Sequence, residues 1–102
     1  MFLTIRMYQT PRPKQEIASY VEEHFIPSVK ENPEFRGWYI VDAGEDKLAS
    51  ITLFDRLETV LEANEGSEAY RMENDELRAL LPNAPEIVVG EVMRWALPKR
   101  KD

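Results

Sequence analysis

The chain contains no cysteine, a single histidine, and no apolar run long enough to cross a bilayer. The missing thiols exclude disulfide staples, zinc thiolate sites, iron–sulfur clusters and cysteine nucleophiles, so stability has to come from packing. Basic residues are also in deficit, 13 Lys plus Arg against 19 Asp plus Glu, for a net charge of -6. Such a surface repels polyphosphate unless its cations cluster, and only Lys99, Arg100 and Lys101 do so, as a terminal run that reads as a solvated end. Neither nucleic acid nor a membrane is therefore an expected partner. The opening Met-Phe-Leu-Thr-Ile-Arg-Met-Tyr has an arginine inside a short apolar run and no small-residue cleavage site, so a cytoplasmic location is expected. No His/Asp/Glu group has metal spacing, no glycine loop suits a phosphate, and Ser50 and Ser67 lack an evident oriented base; no metal and no cofactor are expected.

What remains in 102 residues is one domain, residues 1–102, with its core over about 2–97 and a basic tail at 98–102. Gly37 to Asp55 reads as two β-rich runs, about Phe35–Asp42 and Lys47–Phe54, joined by the turn Ala43-Gly44-Glu45-Asp46. A first strand is predicted over Phe2–Gln9, with Leu3, Ile5 and Met7 alternating against Thr4, Arg6 and Tyr8. Thr10-Pro11-Arg12-Pro13 breaks it and opens a helix at about Lys14, whose stripe is Ile17, Tyr20, Val21, His24 and Phe25. Pro27 should kink this helix and Asn32-Pro33 end it. A second helix is predicted after an Asp55 N-cap with Glu58 three positions on. Its stripe is Leu57, Val60, Leu61 and Asn64, continued by Tyr70, Leu77, Leu80 and Leu81 beyond a break near Gly66. Pro82-Asn83-Ala84-Pro85 is a rigid loop before a last strand over Glu86–Leu97. The order is βαββαβ, a ferredoxin-like α+β fold with a four-stranded antiparallel sheet and two helices on one face.

Two helices cover one face of such a sheet, yet both faces read apolar. Ala49, Ile51 and Leu53 lie opposite Leu48 and Phe54 in the third strand, and Ile87, Val89, Met93 and Trp95 oppose Val88 and Val92 in the last. A second copy is the simplest cover, which predicts a homodimer joined through the helix-free face.

The element order, the two apolar faces and the runs Phe25-Ile26-Pro27, Pro33-Glu34-Phe35-Arg36-Gly37-Trp38-Tyr39, Ser50-Ile51-Thr52-Leu53-Phe54-Asp55 and Gly90-Glu91-Val92 resemble the antibiotic-biosynthesis-monooxygenase-like domains of the dimeric α+β barrel superfamily. The resemblance spans nearly the whole chain and rests on short structural motifs. It implies one of three things: a cofactor-independent, quinone-forming monooxygenase, a haem-degrading enzyme, or a member without assigned activity. The haem-degrading machinery uses a histidine and a tryptophan on the second helix and an asparagine on the first strand, and this sequence has none of them there. For a quinone-forming pocket between helices and sheet, Asn64 and Tyr70 are the loose counterparts.

Read as chemistry, the catalytic candidates are His24, Asn64 and Arg6. His24 is either a general base working near neutral pH or a histidine at the core edge. Asn64 puts an amide on an apolar stripe and needs partners there, from the protein or from a ligand. Arg6 lies on a strand next to that of Glu91, so the two could pair across the sheet, or the guanidinium could orient an anionic or quinone oxygen. Trp38, Tyr39, Tyr70 and Trp95, with Glu91, are the substrate-binding candidates, the rings being suited to stacking a planar aromatic molecule, with ordinary core or dimer packing as the more common use of such rings. A non-catalytic, small-molecule-binding or regulatory homodimer is the alternative to an oxygenase acting on an aromatic, quinol-type substrate.

Overall fold

The computed structural model describes residues 1–99; residues 100–102, the end of the basic tail, lie outside the described residues. Along the chain come β1 (Phe2–Gln9), α1 (Lys14–His24), α2 (Ile26–Lys30), β2 (Phe35–Asp42), β3 (Lys47–Phe54), α3 (Leu57–Glu73), α4 (Asp75–Leu80) and β4 (Glu86–Glu91). The strands form one antiparallel sheet in the order β2-β3-β1-β4, the ferredoxin-like arrangement that the hydrophobic periodicity predicts. Alternation sorts each strand cleanly. Thr4, Arg6 and Tyr8 of β1 share the helix side with Leu48, Ser50, Thr52 and Phe54 of β3 and with Trp38 and Ile40 of β2. Leu3, Ile5, Met7, Ile51, Leu53 and Tyr39 point to the other side.

The β2–β3 turn is built where the acidic, glycine-bearing tetrapeptide stands. Gly44 takes φ +88°, a conformation that side chains resist, and its amide donates to Asp42 Oδ1 at 3.0 Å. Under the helices the core is Tyr8, Ile17, Leu48, Leu77, Leu80 and Leu81, with Tyr20, Val21, Ile40 and Tyr70 packed against it. Thr10, almost fully buried, ties the end of β1 to the end of α4 by donating from Oγ1 to the Leu80 carbonyl at 2.8 Å.

Four boundaries differ from the sequence expectation, each for a local reason. The last strand ends at Glu91 rather than Leu97, because Glu91 stands opposite Phe2, where β1 runs out. One further bond, from the Val92 amide to the Met1 carbonyl at 2.9 Å, closes the ladder. Pro27 does more than kink the first helix: having no amide to donate, it sits in the opening turn of a separate α2, with Phe25 as the joint. Gly66 does not interrupt α3, which runs unbroken past it, since one glycine costs a helix only about 1 kcal/mol. The break falls instead at Asn74, whose extended backbone ends α3 and whose Oδ1 accepts the Leu77 amide at 2.9 Å as the cap of α4. Asp55, predicted as the cap of α3, turns to Arg36 at 2.6 Å, and Arg56 takes the N-cap position without a side-chain bond.

Asn74 Oδ1 also accepts the Tyr20 hydroxyl at 3.1 Å, so one amide joins α1, α3 and α4. Asn74→Ala should lower stability by about 1–2 kcal/mol, read as a fall in the urea midpoint at unchanged m-value. An unchanged midpoint would show that the joint is held by packing alone.

Candidate functional site

The site follows from the inward face of α3. Its residues at helical spacing are Val60, Asn64, Ser67 and Arg71, and only the first is apolar. Leu57 and Leu61, predicted to face inward, are 37% and 47% exposed. The helix thus turns a polar stripe onto the sheet, directly over the polar positions Thr4, Arg6 and Ser50. Such groups are kept from water only if they satisfy one another or something else.

They satisfy one another in part. Thr4 Oγ1 donates to Asn64 Oδ1 at 3.0 Å, and Arg6 Nη1 donates to the same oxygen at 3.1 Å and to Ser67 Oγ at 2.8 Å. Trp38 Nε1 donates to Ser50 Oγ at 3.2 Å, in the row next to Arg6. Arg71, 4% exposed, donates to the Leu81 carbonyl at 2.9 Å and to Glu68 at 2.6 and 3.2 Å. Arg6 differs from Arg71. It is only 7% exposed, it makes no ion pair among the described residues, and its Nε is buried without any hydrogen-bond partner.

Between this face and the sheet lies a chamber of about 30 Å³ whose walls include Arg6, Tyr8, Ser50, Ser67, Arg71 and Phe25. A second, of about 20 Å³, lies on the other side of the same guanidinium, with Trp38, Thr52 and Phe54 in its wall; Arg6, Val21, Phe25 and Ser67 border both. Burial pushes the Tyr8 phenol up from its ordinary value, opposed by the charge of Arg6 beside it, so at neutral pH it is a proton donor. Desolvation pulls Arg6 down from its ordinary value, although a guanidinium stays charged at neutral pH. The Arg71 guanidinium holds the Glu68 carboxyl below its ordinary value. Two guanidiniums and one carboxylate therefore serve the larger chamber, leaving it net positive.

Of the residues singled out from sequence, Arg6 and Asn64 meet here, and Trp38 borders the second chamber. Tyr70 lies behind the wall, stacked on Phe25 at 5.3 Å between ring centres. His24 is elsewhere: it is exposed at the end of α1, its ring 4.4 Å from that of Tyr20, in an outer groove with Glu16, Glu23 and Glu76. Tyr39 is 62% exposed on the helix-free face and Trp95 is 69% exposed in the tail. The cross-strand partnership of Arg6 with Glu91 is not formed, because the register sets Arg6 opposite Ile87 and Glu91 opposite Phe2. Sequence reading missed Tyr8, Ser67 and Arg71 as chamber residues. The signal for the last two was their spacing from Val60 and Asn64, hidden because the more apolar Leu57 and Leu61 suggested another face. Among the described residues no His/Cys/Asp/Glu group could hold a metal, and no helix is long and apolar enough to cross a membrane.

No family model and no curated protein sequence matches the chain. Solved structures do. A monooxygenase from the gene ActVA-Orf6 of Streptomyces coelicolor, in complex with nanaomycin D, superposes with a TM-score of 0.70 at 15% identity, over 96% of this chain and 92% of that one. NE2512 of Nitrosomonas europaea, a protein of unknown function, gives 0.68 at 20% identity over 97% and 94%. A variant of SnoaB, a cofactor-independent oxygenase from Streptomyces nogalater, gives 0.66 at 13% identity over 96% and 97%. The chain thus shares the α+β fold of these three proteins, two of them oxygenases and one of unknown function.

The Glu68–Arg71 pair has a sign in pH. A carboxyl held below its ordinary value of 4.5 stabilises the fold fully above that value, and the contribution is lost as the pH falls through its lower folded value. Glu68→Gln should cost about 1 kcal/mol at neutral pH, a modest figure because the carboxylate is 40% exposed, and should flatten the acid limb of a stability–pH profile. An unaltered acid limb would assign the acid sensitivity to other carboxylates.

Proposed function

We propose that this protein is a cofactor-independent oxygenase that binds a small phenol- or enol-type molecule as its anion in the chamber beneath α3. The observation that carries this reading is Arg6: a guanidinium removed from water, without a carboxylate among the described residues, bordering a cavity and leaving its buried Nε without a hydrogen-bond partner. A buried cation without a partner costs stability and is kept where an anion arrives. The fold shared with two oxygenases supports the reaction class.

In this reading the protein's part is electrostatic. A phenol placed against Arg6 ionises more readily, its proton passing to water, because the anion is the form that the guanidinium stabilises. Asn64 is not among the residues lining either chamber; it positions the guanidinium by accepting from Arg6 Nη1. The electron-rich anion then reduces dioxygen: one oxygen atom enters the substrate as a carbonyl in place of two hydrogens, and the other leaves as water. His24, outside the chamber, is not the base in this scheme; Arg6 makes a strong base unnecessary.

The chamber's size favours a second reading, a non-catalytic binding or regulatory protein. About 30 Å³ is room for two waters, too little for an aromatic ring unless the lining moves. Oxygen uptake over a panel of hydroquinones and anthrones separates the two. The oxygenase should consume oxygen with at least one of them, Arg6→Met lowering kcat/KM by about 100-fold and Asn64→Ala by about 10-fold, with His24→Ala close to wild type. Binding without uptake across the panel would establish the second reading.

We further propose that a second copy covers the helix-free face, which leaves Tyr39, Val41 and Val88 at 62%, 41% and 61% exposure. Sedimentation should give twice the 11.9 kDa chain mass at micromolar concentration, and Val88→Lys should shift the population toward the single chain. A monomeric wild type would end this part of the proposal.

A further inference from the structure

Past the last strand the chain leaves its oiliest side chains in water. Met93, Trp95 and Leu97 are 78%, 69% and 82% exposed, the highest values for large apolar residues among the described ones. They alternate with Arg94 and Ala96, which is the period of a strand with one apolar face. Yet this segment has no strand beside it. The bond from the Val92 amide to the Met1 carbonyl is the last of the ladder, and among the described residues none of 93–99 makes a backbone–backbone hydrogen bond. Between the segment and the helix-free face lies a cleft of about 650 Å³, whose lining includes Leu3, Tyr39 and Leu53 of the sheet and Trp95, Ala96 and Leu97 of the tail. A cleft of that size accepts a substantial apolar guest, and the chain's own Trp95 leaves it open.

Each copy therefore has one unfilled cleft and one unseated strand-like segment, and a two-fold pair can match the first to the second twice over. Charge favours the same match. Residues 92–102 carry four of the 13 basic residues and one of the 19 acidic ones, so a positive tail extends from a body that bears nine units of net negative charge. Two such bodies repel, and a positive tail laid on the opposite body offsets that repulsion. We propose that residues 93–97 form an exchange arm, the arm of each copy seating Trp95 in the cleft of the other against Leu3, Tyr39 and Leu53. This rests on the pairing of helix-free faces put forward above and specifies the segment that fastens it. It also accounts for the strand pattern that runs on to Leu97 although β4 stops at Glu91: the missing neighbour belongs to the other chain.

The absence of cysteine makes the test direct, because any introduced thiol is the only one at its place. Full-length chains carrying Tyr39→Cys are mixed with chains carrying Ala96→Cys, oxidised mildly, and separated without reductant. Both positions are exposed, so neither change should disturb folding. Mixed disulfides joining one chain of each kind should form in preference to like pairs, and the double variant should run as a covalent dimer. A double variant that closes its disulfide within a single chain would place the arm in its own cleft and overturn the proposal. Independently, Trp95→Ala should raise the dimer dissociation constant about 30-fold in sedimentation, the effect of removing a central aromatic anchor, with the circular dichroism unchanged. A wild-type dimer that forms no mixed disulfide and is indifferent to Trp95→Ala would overturn the arm and leave the paired faces standing. A monomeric wild type would remove both.

Discussion

The fixed positive charge of Arg6, sealed between a sheet and a helix, is the constraint around which this molecule is arranged. A guanidinium cannot shed its proton to escape burial, so its surroundings must supply hydrogen bonds or an anion. Here they supply part of that requirement, through Asn64 and Ser67, and leave the buried Nε without a partner. The polar inward stripe of α3, the hydroxyls of Thr4 and Ser50 and the redirected Asn64 amide all make sense as a lining for that charge. None of them is what packing alone would select for the centre of a 102-residue domain.

A neighbouring charge shows the contrast. Arg71 is as deeply buried as Arg6, yet it has a carboxylate and a carbonyl and needs nothing further. One fold therefore holds a satisfied and an unsatisfied guanidinium on the walls of the same chamber. Stability explains the first. The second is the kind of local cost that proteins retain where they bind something.

The architecture was legible because the signals that carry it are local. Alternation in Phe2–Gln9, the glycine turn at Gly44 and the prolines before Lys14 each act within a few residues, and each appears where predicted. Boundaries that depend on a distant partner were not legible. Glu91 ends β4 only because Phe2 is the last residue of β1 available to pair, and Asn74 breaks the long helical segment because it caps α4 and holds Tyr20. The site divides in the same way. Arg6 and Asn64 stood out as polar residues within apolar patterns, whereas the role of Ser67, Arg71 and Tyr8 depended on which face of α3 meets the sheet, and Leu57 and Leu61 argued for the wrong one. His24 drew attention by its rarity, which is a fact about composition and not about place.

Pleating puts Thr4, Arg6 and Tyr8 on one side of β1 and Leu3, Ile5 and Met7 on the other, each at most a residue away along the same backbone. The floor of the chamber and the bare oily surface are thus the two sides of a single ribbon one peptide thick. Whatever presses on Leu3, Ile5 and Met7 limits the sway of that ribbon, and with it the aim of the guanidinium. The steadiness of the charged side is accordingly set from behind, by residues that never touch it.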